Sequence, residues 1–175
     1  RAAGRFIVLE GIDGSGTTTQ AERLVASLRA AGHEVVGTRE PSDGPLGVVL
    51  RQALTRRLVG LSDRALALLF AADRLDHLAS VVEPALAEGK VVVSDRYVLS
   101  SLAYQGMRMP LGWVEALNVA ARPADLTLYV AVDPRTDSRD EQLSPTFDVD
   151  GKRERELLAS YGLGPDTDPG AAAEL

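Results

Sequence analysis

The chemistry in this chain is concentrated in Gly11, Asp13, Gly14, Ser15, Gly16, Thr17, Thr18 and Thr19. Their order follows the glycine-rich phosphate-binding pattern G-x-x-x-x-G-K-[ST], with Gly11 and Gly16 in register and Thr18 at the hydroxyl position. Glycines let such a turn fold back, and backbone N–H groups at the start of the following helix converge on a phosphate. One residue departs from the pattern: the lysine position holds Thr17. Taken alone, the loop fits a phosphate cradle and a plain strand-to-helix turn equally well. Other polar residues must decide. Asp95 and Arg96 end the apolar run Val91-Val92-Val93, as Glu10 ends Phe6-Ile7-Val8-Leu9. Ligands of open α/β sheets bind beyond the carboxyl ends of strands, so Glu10 and Asp95 are expected to face the same crevice as the loop. The bland alternative for Asp95 and Arg96 is a structural ion pair.

The elements that must position these residues alternate. Phe6-Ile7-Val8-Leu9 reads as a buried parallel strand. A helix is expected over 17–31, stopped by Gly32, and a strand over 34–39. The turn-rich stretch Arg39-Glu40-Pro41-Ser42-Asp43-Gly44-Pro45 reads as a loop, functional or merely solvated. Helices follow over 46–54, carrying Arg51, and over 63–82, with Ser62 or Asp63 as cap. On the longer one Leu66, Leu69, Phe70, Asp73 and His77 share helical spacing, so an apolar face turns polar in its later turns. Phe70 there is either core or a stacking platform, and Asp73 with Arg74 could be a solvated pair. Pro84 kinks or restarts this helix. A strand over 91–97, helices over 100–105 and 111–121 and a strand over 126–132 complete the pattern, which predicts a parallel sheet covered by helices on both faces. Further on, a polar loop is expected over 135–145, a helix over 153–161 and a loop-like stretch over 162–170.

Bulk properties narrow the classes. The 175 residues fit a single domain, 1–175, able to bury about 70% of the unfolded chain's surface. A net charge of −6 argues against a sequence-independent grip on nucleic acid polymers, but leaves room for a small arginine cluster holding one or two phosphates. The only lysines, Lys90 and Lys152, are far from the loop in sequence. No apolar run suits a membrane span and no signal pattern is evident. The absence of cysteine removes disulfides and thiolate metal sites, which fits a cytoplasmic protein. His33 and His77 have no metal-ligand companion at useful spacing and are expected at the surface or partly buried.

The ordered set Gly11–Gln20, Thr38-Arg39-Glu40-Pro41, Leu69-Phe70-Ala71-Ala72-Asp73-Arg74, Asp95-Arg96-Tyr97, Ser100-Ser101-Leu102-Ala103-Tyr104-Gln105-Gly106 and Pro123-Ala124-Asp125-Leu126-Thr127 resembles bacterial thymidylate kinases across roughly residues 5 to 133. The resemblance implies the nucleoside monophosphate kinase fold, transfer of the ATP γ-phosphoryl group to dTMP, Mg²⁺ as cofactor and a homodimer. It assigns ATP phosphates to Gly11, Asp13, Gly14, Ser15, Gly16, Thr17, Thr18 and Thr19, and Mg²⁺ to Thr18 and Asp95. Phe70 would stack on thymine and Arg74 would bond its edge. Arg51 and Arg96 would hold the dTMP phosphate, with Asp13 and Glu40 beside the acceptor sugar and phosphate. Ser101, Tyr104 and Gln105 would complete the base pocket. Such a set makes chemical sense, because phosphoryl transfer asks chiefly for positioning and for positive charge around spreading negative charge.

Two features depart from the family pattern. Thr17 replaces the lysine expected at the β- and γ-phosphates. Members with this kind of loop carry an arginine-rich lid over ATP, of which only Arg135 and Ser138-Arg139-Asp140-Glu141 are recognisable, in a polar loop at about 134–146. Arg139 is the expected replacement cation. Two other readings compete with an active dTMP kinase: a kinase for another nucleoside monophosphate, and a nucleotide-binding relic of the fold that does no chemistry.

Overall fold

The structure, a computed structural model, describes residues 4–131. Four parallel strands, β1 (Arg5–Glu10), β2 (Val35–Arg39), β3 (Val91–Asp95) and β4 (Leu126–Tyr129), form one sheet in the order β2-β3-β1-β4. Register sets the site: Leu9 and Arg39 both lie opposite Asp95. Residues 10, 40 and 96, one step beyond each strand pairing, therefore emerge at a single edge.

Alternation along β1 divides the core between the two faces. Phe6 and Val8, with Val92, pack under Leu78, Val82, Leu86 and Tyr97 on one side. Leu9 and Val93 pack against Ala21 and Val25 of α1 (Thr17–Ala30) on the other. Both faces are thus covered, as the alternating pattern predicts. Phe6 is fully buried and meets the Tyr97 ring edge-on at 5.1 Å. Burying a side chain of that size contributes about 1.5–3 kcal/mol.

The remaining helices are α2 (Pro45–Leu54), α3 (Asp63–His77), α4 (Glu83–Ala87), α5 (Val98–Gly106) and α6 (Leu111–Asn118). Ser62 caps α3, its hydroxyl accepting from the Ala65 N–H at 3.2 Å. The single helix expected over 63–82 is interrupted. Its α geometry ends at His77, and Leu78–Val82 forms a π-helical turn in which the Glu83 N–H reaches back to the Leu78 carbonyl. Pro84 supplies the cause: with no N–H and a bulky ring, it cannot follow a regular α turn, and the wider turn makes room for it. A third cluster, Ala67, Leu102, Met109 and Val114, packs α3 against α5 and α6. That contact brings the polar end of α3 under the sheet edge. The expected loop at 134–146, the helix at 153–161 and the stretch 162–170 lie outside the described residues.

Candidate active site

Gly14 and Gly16 adopt φ of 78° and 84°, left-handed values that a side chain would strain, and they turn the chain from β1 into α1. Helix α1 starts at Thr17 with no side-chain cap, so its first N–H groups remain available. An anion is the natural partner for such an end. A side chain at Gly11 would run into Ser15 Oγ and the Thr17 methyl. Thr17 is accordingly buried, packed inside the turn. The Ser15 hydroxyl is also buried and has no hydrogen-bond partner.

Thr18 donates to Asp95 Oδ2 at 2.5 Å. That bond fixes the hydroxyl hydrogen and leaves its lone pairs facing outward. Asp95 Oδ1 is buried and unpartnered. One hydroxyl and one carboxylate, the latter with one unsatisfied oxygen, form an oxygen donor set of the kind a phosphate-bound Mg²⁺ uses. The residues fit that ion.

Arg96 joins the loop to α5. Its φ of 70° is left-handed, unusual for a non-glycine residue, and the backbone is pinned there by its N–H on the Leu9 carbonyl at 2.8 Å and by Ser94 Oγ on its own carbonyl at 2.9 Å. Nη1 donates to the Gly11 carbonyl and to Ser100 Oγ, both at 3.1 Å, and to Tyr104 at 3.4 Å, while Nη2 reaches Asp13 at 2.6 Å. Burial opposes its charge, but Tyr104, Asp13, Glu10 and Asp95 outweigh that and raise its pKa above the usual value. The guanidinium is a fixed positive charge at the mouth of the loop. Asp95 and Arg96 are not an ion pair with one another: Asp95 turns to Thr18 and Arg96 to Asp13.

Beside Arg96 opens a cavity of about 290 Å³ lined by Asp13, Glu40, Pro41, Leu54, Phe70, Arg74, Arg96, Tyr97, Ser100, Ser101, Tyr104 and Gln105. Eight of the residues singled out from sequence stand together here: Asp13, Glu40, Phe70, Arg74, Arg96, Ser101, Tyr104 and Gln105. Phe70 is half-buried in the wall, and Gln105 Oε1 is buried without a partner, an acceptor available to a ligand donor. Arg51 does not line the cavity. It sits at the rim, donating from Nη1 to the carbonyls of Pro41 at 2.9 Å and Ser42 at 2.5 Å. Arg139 lies outside the described residues.

Asp73, Arg74 and His77 overturn the picture of a solvated helix end. Arg74 is 2% exposed and gives Nε to Glu40 at 2.9 Å, Nη2 to the Tyr97 carbonyl and to Ser101, and Nη1 to Asn118. Of its five N–H groups, these bonds leave one Nη1 hydrogen unassigned, and Arg74 lines the cavity. Asp73 ignores Arg74 and accepts from the Ser42 N–H at 2.7 Å and hydroxyl at 2.6 Å. His77, expected at the surface or partly buried, is 1% exposed between Thr38 at 2.6 Å and Glu40 at 3.2 Å. A buried polar group needs partners, and the β2 end supplies them. Glu10 also departs from expectation. It does not line the cavity; its carboxylate accepts from the N–H groups of Tyr97 at 2.9 Å and Ser100 at 3.3 Å and from the Ser100 hydroxyl at 2.6 Å. It caps α5 from beneath. Burial pushes its pKa up, only partly offset by the Ser100 hydrogen bond and the Arg96 charge. Pro41, Tyr97, Ser100 and Leu54 are wall residues given no role from the sequence; the first three lie inside motifs already noted, whereas Leu54 carried no signal.

A phosphate loop on a parallel sheet, with a guanidinium between it and a base-sized cavity, defines a P-loop nucleoside monophosphate kinase fold. The family model described as Thymidylate kinase matches residues 9–142. The chain is 42% identical over 166 residues to a probable thymidylate kinase of Pyrococcus horikoshii, covering 90% of this chain and 81% of that protein. It is 42% identical over 164 residues to a thymidylate kinase of Solidesulfovibrio magneticus, covering 87% and 78%. The crystal structure of thymidylate kinase from Ehrlichia chaffeensis is similar at a TM-score of 0.74 and 30% identity, covering 91% of this chain and 87% of that one. The chain belongs to the thymidylate kinase family.

Proposed function

We propose that this protein transfers the γ-phosphoryl group of ATP to dTMP, giving dTDP and ADP. The observation that carries this reading is Arg96, held by both the loop and the cavity wall, where a donor and an acceptor phosphate would meet. The N–H groups of the Gly11–Thr19 loop bind the ATP phosphates, and Arg96 with rim Arg51 aligns the acceptor phosphate for in-line attack. Phe70 stacks on thymine, Gln105 and the free Nη1 hydrogen of Arg74 meet its edge, and Ser101 and Tyr104 close the pocket. Asp13 and Glu40 stand beside the sugar and phosphate. Thr18 and Asp95 would hold Mg²⁺, which would supply positive charge to the ATP phosphates. Charge missing at Thr17 comes from Arg139 in a loop at about 134–146, within a single domain spanning 1–175. The working form is a cytoplasmic homodimer, supported by Leu68 and Leu75, exposed on α3 seven residues apart and therefore on one stripe. Among the described residues no helix is long and apolar enough to cross a membrane.

A coupled ADP-release assay across dTMP, dUMP, dCMP, dGMP and AMP tests the reading. Turnover greatest with dTMP is expected; faster turnover with another monophosphate assigns a different base. One observation favours the relic reading, the buried threonine in the lysine position. That reading predicts dTMP binding with no ADP release from any acceptor.

A further inference from the structure

Glu10 has no part in the function as read so far and Ser100 only lines the cavity, yet both touch the surroundings of Arg96. Ser100 Oγ donates to Glu10 Oε2 at 2.6 Å and accepts from Arg96 Nη1 at 3.1 Å. A serine hydroxyl has one hydrogen and two acceptor lone pairs, and its rotor follows the strongest acceptor nearby. Glu10 is 2% exposed, its other oxygen already takes two N–H groups, and no cation among the described residues pairs with it directly. When Glu10 is ionised, above its raised pKa, its attraction for the Ser100 hydrogen is a charge-assisted bond in a low-dielectric place, so it dominates the rotor. With the hydrogen committed to Glu10, an Oγ lone pair is left towards Arg96. The same carboxylate fixes the N-terminus of α5 through the Tyr97 and Ser100 N–H groups, so the hydroxyl has no freedom to follow a moving arginine. On the other side Arg96 is bound to the Gly11 carbonyl and Asp13, both on the loop.

We infer that Glu10 is a positioning residue that acts through the Ser100 hydroxyl to hold the Arg96 guanidinium at the acceptor phosphate, with Ser100 as the relay. The inference rests on the reading of Arg96 given above. Neither residue needs to touch the phosphate: Glu10 is outside the cavity wall, and the Ser100 hydrogen already points away from any acceptor ligand. Loss of either link leaves Nη1 with only the Gly11 carbonyl and Tyr104, and Nη2 with Asp13, so the guanidinium is held less firmly towards the cavity.

Calorimetry with dTMP and with thymidine isolates the effect, because thymidine has the same base and sugar but gives Arg96 no phosphate. The quantity read is the ratio of the two dissociation constants. Arg96→Ala must collapse this ratio; if it does not, the reading of Arg96 itself fails. Ser100→Ala and Glu10→Gln are each expected to lower the preference for dTMP about tenfold, the size of one hydrogen bond to a charged group, any loss shared by thymidine cancelling in the ratio. The double variant is expected to lose no more than the stronger single one, since both act on one link. Ser100→Thr, which keeps a hydroxyl, restores the ratio. If Arg96→Ala collapses the ratio while Glu10→Gln leaves it within twofold, or if the two losses multiply in the double variant, the relay is wrong. Should Glu10→Gln fail to fold, the contrast between Ser100→Ala and Ser100→Thr decides: equal ratios in the two overturn the proposal.

Discussion

Thr17 is the residue on which the catalytic account is most exposed. Its side chain packs within the turn, so whatever it gives to a phosphate comes from its backbone N–H. The loop around it keeps the glycine geometry of a phosphate cradle, with Gly14 and Gly16 left-handed. Thr17→Lys is therefore expected to leave turnover equal or higher, by up to ~10²-fold, the weight of one charge-stabilising donor. Steady-state kinetics with saturating dTMP reads this directly, and an abolished activity contradicts the cradle. At the other end of the site, Phe70 lines the cavity, and no described aromatic ring pairs with it. Phe70→Ala should weaken dTMP binding by ~1–3 kcal/mol, the worth of base–aromatic stacking. An unchanged dissociation constant by calorimetry returns Phe70 to the core.

At the scale of elements, the site is the edge where β1, β2 and β3 end, and its rigidity comes from carboxylates that reach across that edge. Glu10 ties β1 to α5; Glu40 ties the end of β2 to α3 through Arg74 and His77; Asp73 ties α3 to the turn after β2. The Glu10 tie has a pH consequence. Burial raises its folded pKa above the unfolded value, near 4.3 for a free glutamate. The native state then holds a proton that the unfolded chain releases, so this group's contribution is full below the unfolded value and is lost as pH rises through the raised folded value. Urea unfolding across that window should show stability falling with pH, and Glu10→Gln should flatten the fall. A slope identical in the variant contradicts the assignment. Much of this scale was legible in the sequence. Strand–helix alternation, the Gly32 stop and the Ser62 cap are local signals, and each appears in the structure. The pairings were not legible, because a sequence shows that Asp73 and His77 share a helix face but not that β2 ends beneath that face. Glu10 misled for the same reason: the strand end was placed correctly, but the side chain serves α5 and not the crevice. The π-helical turn before Pro84 was half legible, as a break but not as its form.

At the scale of the whole molecule, α3 looks both ways. Its inner face carries Ala67, Asp73, Arg74 and His77 into the fold, while Leu68 and Leu75 remain exposed at 51% and 43%. An apolar stripe on the helix that also carries Phe70 would let subunit contact steady the base pocket. Light scattering should report a dimer for the protein and a monomer for the Leu68→Asp, Leu75→Asp variant. A dimer that persists in the variant places the interface elsewhere. The monomeric variant should also bind dTMP less tightly, because α3 would lose support on its outer side.

The central claim is that the loop and the cavity are two halves of one phosphoryl-transfer site. Phosphorus NMR of the protein with ATP, dTMP and Mg²⁺ follows the group itself. The account predicts that the ATP γ-phosphorus signal falls while a dTDP β-phosphorus signal grows one for one, with no inorganic phosphate. A sample in which calorimetry finds dTMP bound, yet the γ-phosphorus stays on ATP or appears as inorganic phosphate, would contradict it.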